Sequence, residues 1–479
     1  MNNEIVIVWF RQDLRLSDNA ALIAAHKSKR QILPIYILDD ENSGEWKMGS
    51  ASRWWLHESL IQLDKSLKGN LCLQKGDAHS ILKGIIKKHD VKAVYWNRCY
   101  EPWCIKRDTY IKKSLSEKGI EVKSFNSALL FEPHTTLKKD GTPYKVFTPY
   151  YKKGCLENNA DPALPKQTPK RLSFYECSSL TLDDLKLKPS IKWYKQIEKE
   201  WQPGEKGAEA CLNQFLENGM NHYKEGRNFP SKNNVSRLSP YLHFGEISPN
   251  KVWHEAKMTM IENRCEKDGE HFLSELGWRE FSNSLLYHFS DMPRENLQKK
   301  FNAFPWQEDD ALLKCWQKGQ TGYPIVDAGM RELWQTGYMH NRVRMIVGSF
   351  LVKNLLLHWH YGEDWFWDTL VDADLANNSA SWQWIAGCGA DAAPYFRIFN
   401  PITQGQKFDS DGNYVRKYVP ELSKLPNKYL HAPWEASESI LKEAEIELGK
   451  SYPEPIVELR ASRERALAAF KSISGINSD

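Results

Sequence analysis

The segment GYMHNRVRM carries three side chains that could form part of a binding pocket. Asn341, Arg344 and Met345 lie at i, i+3 and i+4, so a helix predicted from Tyr338 to Leu357 would place them on one face. An amide, a cation and a thioether on one face suit the wall of a ligand site. The alternative is structural, with Met345 in the core and Arg344 in an ion pair. The segment alone leaves both interpretations open.

A second segment, ELGWREF, places Glu275, Trp278 and Arg279 at the same helical spacing. A carboxylate beside a large aromatic ring and a guanidinium can hydrogen-bond the edge of a nucleobase while the ring stacks on its face. The same triplet can equally form an intrahelical Glu–Arg pair beside a core tryptophan.

Two carboxylates and an amide follow in DADLANNSASWQWIAG, at Asp372, Asp374 and Asn378. No histidine accompanies the carboxylates, and one pair is too few ligands for a calcium loop, so we predict no metal. Acceptors for a ribose, for ring N–H groups or for an arginine suit them better. Downstream, the pattern G-x-G-x-x-A at 387–392 stands outside a strand-to-helix unit and is a weak match that we discard as a dinucleotide site.

The segment SRLSPYLHFG, residues 236–245, places Ser236, Arg237 and Ser239 before Pro240. Small hydroxyls and backbone N–H groups near a helix start can bind a phosphate. An ordinary helix cap is the alternative, and the local sequence does not decide between them.

These segments need a framework, and the first 133 residues predict a parallel sheet flanked by helices. Runs rich in β-branched and aromatic residues alternate there with segments of helical period. No G-x-G-x-x-G follows the first run, so the region resembles a Rossmann fold without its nicotinamide site. The predicted strands are Ile5–Phe10, Ile32–Leu38, Leu71–Gln74, Ala93–Trp96 and Val122–Phe125, and the predicted helices include Ser50–Leu67, Asp77–His89 and Cys104–Lys118.

Beyond this α/β domain (residues 1–133), we predict a linker over the surface at 134–205, which is rich in Pro, Lys, Asn and Ser. Residues 206–475 show helical periods and few strand-like runs, which predicts a mostly helical domain.

Composition sets limits on function. The net charge of +4 permits an anionic partner without requiring one, and nine cysteines without a C-x-x-C pair indicate reduced thiols. No apolar run is long enough for a signal peptide or a membrane span, so we expect a cytoplasmic protein with no membrane partner. Nineteen tryptophans can serve packing, stacking on planar ligands or electron relay.

The order of the motifs resembles one family, the DNA photolyases and cryptochromes. The resemblance runs through WFRQDLRLSDN, YKVFTP, SRLSPYLHFG, WREF, TGYPIVDAGMREL, MHNRVRM, WQW and DAAPYFRIFNPITQGQKFD, and covers nearly the whole chain. It implies an N-terminal domain with an antenna chromophore and a C-terminal helical domain that encloses a folded-over FAD.

The resemblance also implies which residues contact FAD. Val235 stands where the family usually has threonine, so one phosphate hydroxyl is missing and we expect a weaker contact there. The implied FAD-binding residues are Tyr223, Val235, Ser236, Arg237, Leu238, Ser239, Arg279, Arg344, Asp372, Asp374 and Asn378.

An electron relay to the flavin is implied at Trp382, Trp359 and Trp306, in order from flavin to surface. Three core aromatic residues would also be buried, but that interpretation gives no reason for the match to the relay positions. Trp334 is a candidate for a branch of the relay, which the sequence does not decide.

The resemblance further implies DNA repair through a dimer flipped out of the duplex. Glu275 is expected to hydrogen-bond the dimer, with Trp278 and Trp384 stacking on it. Phosphates around the dimer are assigned to Arg227, Arg342 and Arg397, although isolated arginines are more often solvated surface charges.

Three positions separate the branches of the family. Enzymes for (6-4) photoproducts resemble one another in carrying histidine where this chain has Asn341 and Met345, so these residues favour cyclobutane pyrimidine dimers. Asn378, at the position facing flavin N5, resembles photolyases, because plant cryptochromes tend to have aspartate there and animal ones cysteine. A cryptochrome-type blue-light receptor and a (6-4) photolyase remain the alternatives.

The antenna domain carries ASRWWLHESL and WNRCYEPWCIKRD, which resemble photolyases close to plant cryptochromes. That subgroup implies methenyltetrahydrofolate as the antenna, with deazaflavin or FMN as alternatives. We expect no obligate protein partner.

Overall fold

The computed structural model describes residues 4–391 and 397–475. By compactness the chain divides into two units: a sheet unit of residues 1–217 and 236–290, and a helical unit of 218–235 and 291–479. In this division residues 236–290 group with the sheet, whereas the sequence prediction placed them in the helical domain of residues 206–475. Part of the motif DAAPYFRIFNPITQGQKFD, at 392–396, lies outside the described residues, as does Ala392 of the discarded G-x-G-x-x-A pattern.

The sheet unit is built on five parallel strands in the order β3-β2-β1-β4-β5. All six residues of β1 are buried, as expected for a central strand covered on both faces. Each predicted strand is confirmed to within two residues, because an apolar run between polar turns marks such a strand clearly. The strands are β1 Ile5–Phe10, β2 Gln31–Leu38, β3 Cys72–Lys75, β4 Val91–Asn97 and β5 Glu121–Phe125.

Helices connect the strands and extend the sheet unit. The three helices predicted here are confirmed within two residues at each end, and the helix Ala20–Lys27 was not predicted. Its start is fixed by Asn19, whose side chain accepts a hydrogen bond from Leu22 N. The helices of eight or more residues are α1 Ala20–Lys27, α2 Ser50–Ser66, α3 Ala78–Lys88, α4 Pro102–Ser116, α5 Glu205–Gln214, α6 Pro249–Glu262 and α7 Glu266–His288.

The predicted linker is less exposed than its composition indicates. Residues 134–205 have little regular structure, yet Tyr150, Cys155 and Leu185 are fully buried. Residues 173–180 also bond to the sheet, because Ile32 N donates to Ser173 O at 2.8 Å. The segment therefore packs as part of the sheet unit. Its short helical segments are Phe147–Pro149, Tyr150–Glu157 (a π-helix), Asp183–Leu185, Trp193–Lys195 and Ile197–Glu200.

The described residues of the helical unit are helices and loops around one core, which includes Trp316, Val347 and Trp359. Its longer helices are α8 Asp310–Gln317, α9 Pro324–Thr336, α10 Asn341–Ser349, α11 Trp359–Thr369, α12 Leu375–Ala386, α13 Pro401–Phe408 and α14 Leu459–Ser472. Shorter helices lie at Tyr223–Gly226, Asn413–Tyr418, Asn427–Leu430 and Glu438–Glu443, with Ser239–His243 in the sheet unit.

The helix predicted from Tyr338 to Leu357 is wrong at both ends. The α-helix α10 begins at Asn341, because the Nδ1 atom of His340 accepts a hydrogen bond from Arg342 N at 3.2 Å and caps the first turn. It ends at Ser349 and continues as a π-helical turn, Phe350–Asn354. Leu356, with φ of 55°, then turns the chain away. Asn341, Arg344 and Met345 still share a face.

Among the described residues, no helix is both long and apolar enough to cross a membrane.

Candidate functional site

Helix α10 carries two arginines with different partners. The Nη2 atom of Arg344 donates to both carboxylate oxygens of Asp372, at 3.1 and 2.9 Å. Burial opposes the charge of Arg344, but the neighbouring Asp372 outweighs it and raises the guanidinium pKa. The ion pair considered in the sequence is therefore present. Met345 is only half-buried and Asn341 is exposed, so this face of the helix is not core.

Arg342, two residues before Arg344 on the same helix, contacts neutral groups. It donates to Asn228 Oδ1, approaches the sulfur of Met345 at 3.8 Å and lies 4.6 Å above the Phe408 ring. No carboxylate among the described residues pairs with it. Burial, Arg227 and Arg397 all lower the pKa of Arg342. Arg227 and Arg397, the other two arginines predicted to bind DNA phosphates, are thus close enough to Arg342 to repel its charge.

The helix geometry places the two predicted lesion-contact residues between these arginines. Successive residues turn about 100° around an α-helix, so Asn341 and Met345 project between the direction of Arg344 and that of Arg342. The approach of Arg342 to the sulfur of Met345 agrees with this. Helix α10 therefore presents an amide and a thioether between a carboxylate-paired cation and a cluster of like charges.

His340, which was not identified from the sequence, belongs to the same arginine cluster. It is buried, and its backbone N–H donates to Glu332 Oε2 at 3.2 Å. Burial and the charges of Arg227, Arg342 and Arg344 lower its pKa to about 3. The ring is therefore neutral at physiological pH. Its place before the polar face of α10 was visible in the sequence, but its capping role needed the helix boundary.

Asn378 is a buried amide on α12. Its Nδ2 donates to the backbone carbonyl of Glu363 at 3.0 Å, which leaves Oδ1 to meet a ligand. The carboxylate of Glu363 is itself fixed by Ser379 Oγ and by Arg294 at 3.2 Å. Asp374 accepts from Asn377 N at 2.8 Å and caps α12. Asp374 is therefore a helix cap, and Glu363 is a supporting residue that the sequence did not reveal.

The three predicted relay tryptophans lie in the core of the helical unit or against it. Trp382 is buried, and it packs so closely on α11 that a Cβ atom at Gly362 would lie 2.1 Å from its ring. Trp359 is fully buried and donates from Nε1 to Asn296 Oδ1 at 3.0 Å. Trp306 is partly exposed, in keeping with its predicted place at the surface end. The proposed branch residue Trp334 is 52% exposed and stacks on Trp365.

Helix α7, in the sheet unit, carries Glu275, Trp278 and Arg279. The Trp278 ring stacks on Phe147 with centroids 3.8 Å apart, and Tyr151 also stacks on Phe147. Gly277 permits this approach, since a Cβ atom there would lie 2.5 Å from the Tyr151 ring. One face of Trp278 is thus covered by protein and the ring is held rigidly. Phe147, from the motif YKVFTP, is the partner that the sequence did not identify.

Glu275 and Arg279 do not pair with each other in the way the sequence suggested. Glu275 lies 4.0 Å from His271 Nε2, and Arg279 binds Glu280 Oε1 at 3.0 Å. Glu280 also accepts from Phe131 N, and burial raises its pKa to about 7. Glu275 therefore remains a half-buried carboxylate rather than the partner of Arg279.

The segment Ser236–Ser239 has an unusual backbone. Arg237 has φ of 52°, its guanidinium lies 4.1 Å above the Trp201 ring, and it is 3.6 Å from Glu200. The helix cap considered from the sequence is not formed by a serine, because the N-cap residue is Leu238. The Sγ atom of Cys211 donates to Ser236 O at 3.0 Å and helps to fix the loop.

The remaining predicted residues are placed as follows. Tyr223 is buried, with Arg227 5.6 Å above its ring, and Val235 lies half-buried in the loop after them. Trp384 is half-buried in the last turn of α12, and Arg397 is exposed. No group of three or more His, Cys, Asp or Glu in residues 4–391 and 397–475 is placed to hold a metal ion.

Comparisons with known proteins identify the family of the chain. Residues 6–170 match the family model described as DNA photolyase, and residues 272–472 match the FAD binding domain of DNA photolyase. The chain is 49% identical to a deoxyribodipyrimidine photo-lyase of Agrobacterium fabrum, over 98% of each chain, and 38% identical to cryptochrome-1 of Arabidopsis thaliana, over 98% of this chain and 70% of that one.

A solved structure, a bacterial class III photolyase from Agrobacterium tumefaciens, superposes with a TM-score of 0.94 at 48% identity and covers 99% of this chain and 98% of its own. The chain therefore belongs to the DNA photolyase and cryptochrome family. Within it, the chain is similar to the class III photolyase and to plant cryptochromes, as the antenna-domain motifs predicted.

The family implies FAD, and the residues of the helical unit fit a flavin. A buried amide with one oxygen remaining, and a carboxylate that is paired with a cation, match the donors and acceptors along the edge of a flavin ring. Asn378, Asp372 and Arg344 would hold the ring, and Tyr223 would contact the cofactor from the same unit. For electron transfer by a flavin, the protein needs to supply orientation and electrostatics rather than a proton donor.

Proposed function

We propose that this protein is a light-driven DNA repair enzyme that reverts cyclobutane pyrimidine dimers. The observation that carries the proposal is the arrangement on α10, where Asn341 and Met345 project between the Arg344–Asp372 pair and the arginine cluster of Arg342. A lesion at that face would have the flavin edge on one side and its own phosphates on the other. The 49% identical relative named deoxyribodipyrimidine photo-lyase supports the same activity.

The chemistry supplied by bound, reduced FAD is donation of one electron that opens the cyclobutane ring, followed by its return. The protein holds the dimer in place for this reaction and excludes competing reactions. Asn341 and Glu275 hydrogen-bond the polar edges of the dimer, and Met345 packs against it. Neither Asn341 nor Met345 can donate a proton as a histidine would, which fits ring splitting without an acid and disfavours the (6-4) reaction.

Two tryptophans stack on the flipped dimer in this proposal. Trp278 is suited to the role because its contact with Phe147 holds the ring in one orientation, so little entropy is lost when a base stacks on it. Trp384, half-buried at the end of α12, provides the second aromatic surface.

Asn378 stabilises the reduced and anionic cofactor. Its neutral amide oxygen would accept a hydrogen bond from the flavin without adding the negative charge that an aspartate would bring. The hydrogen bond from Asn378 to Glu363 O prevents the amide from turning away. This feature favours repair over the receptor function of cryptochromes.

Arg227, Arg342 and Arg397 bind the phosphates that flank the flipped dimer. Binding an anion there would relieve the repulsion that lowers the pKa of Arg342. Trp382, Trp359 and Trp306 return the cofactor to its reduced state by passing electrons inward from the surface.

The antenna is methenyltetrahydrofolate in this proposal, because the motifs of the N-terminal domain resemble those of the subgroup that tends to bind it. Chromatography and absorption spectra of the cofactors released from purified protein test this, and a deazaflavin or FMN in the extract would contradict it.

The test of function is repair of an oligonucleotide with one thymine cyclobutane dimer, under blue light and with a reductant. Restoration of the undamaged strand in the light only is the expected result. A parallel oligonucleotide with a (6-4) photoproduct should remain unrepaired. The variant Asn341→Ala should retain bound FAD but repair more slowly. Absence of repair by protein whose FAD is fully reduced would reject the proposal and favour a photoreceptor.

A further inference from the structure

Two histidines flank Trp359, the middle residue of the proposed relay. The His358 ring contacts two relay rings, with its centroid 5.7 Å from Trp359 and 5.1 Å from Trp306. It is nearly parallel to Trp359, at 27°, and it meets Trp306 edge-on, at 63°. One imidazole ring is therefore in contact with both the middle and the outer tryptophan.

The orientation of His358 is fixed by the helix that it precedes. Its Nδ1 accepts a hydrogen bond from His360 N at 3.2 Å and caps α11. Because Nδ1 is the acceptor, the proton of the neutral ring is on Nε2. The imidazole thus serves as a helix cap and as a neighbour of both indole rings.

The charges around His358 keep it neutral. Burial, His360 and Arg294 lower the pKa of His358 to about 4. Burial and Arg294 likewise lower the pKa of His360, whose ring lies 4.1 Å from that of Trp359, to about 4. The positive charge of Arg294 is held by Glu363 and Asp364. A positive charge arriving on a tryptophan here is therefore not repelled by a charged imidazole.

The hydrogen bond of Trp359 determines what an oxidised indole can do. Nε1–H of Trp359 donates to the amide oxygen of Asn296, which accepts a hydrogen bond but is too weak a base to take the proton. An oxidised Trp359 must therefore be reduced by an electron from a neighbour. At Trp306, Nε1 is buried with no hydrogen-bond partner among the described residues.

We propose that His358 is a bridging residue that couples Trp359 electronically to Trp306. In this step one electron leaves Trp306 and reduces the radical cation of Trp359, so Trp306 is oxidised to its radical cation and Trp359 returns to neutral indole. No bond is formed or broken, and the Nε1 proton of Trp359 remains in place. The inference rests on the proposed function, since it assumes that the tryptophans serve a flavin.

Two variants separate the bridge from the helix cap. His358→Asn keeps a side-chain acceptor for His360 N but removes the ring, whereas His358→Phe keeps a ring but removes the acceptor. Each is compared with the unchanged protein by transient absorption of oxidised tryptophan after a blue flash and by the rate of light-driven FAD reduction. Thermal unfolding reports on the cap.

The expected result is a several-fold slower transfer from Trp306 in His358→Asn, with a rate close to the original in His358→Phe. Thermal stability should follow the opposite order, because only His358→Phe loses the cap. Unchanged rates in both variants, slowing in His358→Phe alone, or equal slowing in both would overturn the proposal.

Two further measurements keep this test independent of the repair activity. When FAD has been reduced chemically with dithionite, the unchanged protein and the His358→Asn variant should repair dimers equally well. If neither protein repairs dimers, the proposed function is rejected rather than the bridge. Nitrogen-15 NMR of histidine-labelled protein should show a neutral Nε2–H tautomer for His358 from pH 8 down to about pH 5. A charged or Nδ1–H imidazole would overturn the proposed geometry.

Discussion

Two groups of arginines in this protein have opposite electrostatic environments. The sheet cluster lies beyond the carboxyl ends of β1, β2 and β4. Arg11 binds Asp108 at 2.5 Å, and Arg107 binds both Asp108, at 2.9 Å, and Asp39, at 3.3 Å. Both guanidiniums also lie 4.7 Å from the Trp9 ring. The sheet cluster consists of Arg11, Arg107, Asp39 and Asp108.

The helix cluster consists of Arg227, Arg342 and Arg397. The pKa of Arg342 falls there because of burial and the two neighbouring arginines, whereas the carboxylate of Asp108 helps to raise the pKa of both Arg11 and Arg107. A cluster that neutralises its own charge supports the fold. At Arg342 like charges lie close together and lower the guanidinium pKa, so a bound anion would stabilise the charged form there.

The largest expected effect comes from unbalancing the sheet cluster. Asp108→Asn leaves two buried guanidiniums with one fewer negative charge, and we expect a loss of about 3 kcal/mol in the free energy of unfolding. Urea denaturation measures it. Glu464→Gln breaks the exposed Arg460–Glu464 pair and is the matched control, with an expected change below about 0.5 kcal/mol. Equal effects of the two variants would remove the distinction between the clusters.

His340 extends the comparison to acid pH. Its folded-state pKa is about 3 and its ordinary value is 6.5, so the unfolded chain binds a proton that the folded chain does not. Stability from this group is present above pH 6.5 and is lost as pH falls toward 3. His340→Asn keeps an acceptor for the cap of α10 and removes the titration. When the pH falls from 7 to 4.5, the free energy of unfolding of the unchanged protein should therefore fall by about 2.5 kcal/mol more than that of the variant.

The control for this pH dependence is His26→Asn, which alters an exposed histidine at the end of α1. As a substitution of an exposed side chain, it should change the free energy of unfolding by less than about 0.5 kcal/mol. If His340→Asn shows the same acid loss as the original protein, burial and the neighbouring arginines do not keep His340 neutral in the folded state.

Removing one charge from the helix cluster should affect DNA rather than folding. For Arg342→Gln we expect about tenfold weaker binding of dimer-containing DNA. The slope of log affinity against log salt concentration should also become shallower by about 1, the value for one phosphate contact. Fluorescence anisotropy at several salt concentrations measures both. Arg460→Gln, at an 86% exposed side chain, is the control and should bind normally. A large loss of stability with unchanged affinity would make Arg342 a structural residue.

The sequence allowed the fold to be predicted more fully than these clusters. Strand β1 is an unbroken apolar run and its limits follow from composition, whereas α10 was predicted too long because the cap by His340 and the π-helical turn have no comparable pattern. The contact of Arg342 with Asn228 joins residues 114 positions apart. Only the packed chain shows which arginines meet carboxylates and which meet one another.

The candidate site was likewise predicted from the sequence only in part. Spacing correctly predicted that Asn341, Arg344 and Met345 share a face, because helix geometry is local. It did not reveal that Phe147 covers one face of Trp278 or that Glu363 orients Asn378, because these partners come from other segments. The polarity of a segment thus predicts a site, and its supporting residues require the tertiary structure.

The smallest expected effect tests whether the helix cluster binds an anion without DNA. At constant ionic strength, replacing chloride by sulfate at roughly three times its dissociation constant should add about 0.8 kcal/mol to the free energy of unfolding. Sulfate also stabilises proteins without binding them, so the informative quantity is the difference between the original protein and Arg342→Gln. Asp108→Asn should keep the full response, because the sheet cluster already contains its own anions. An equal response in all three proteins would mean that like charge alone does not form a site, and that the arginines need the spaced phosphates of a DNA strand.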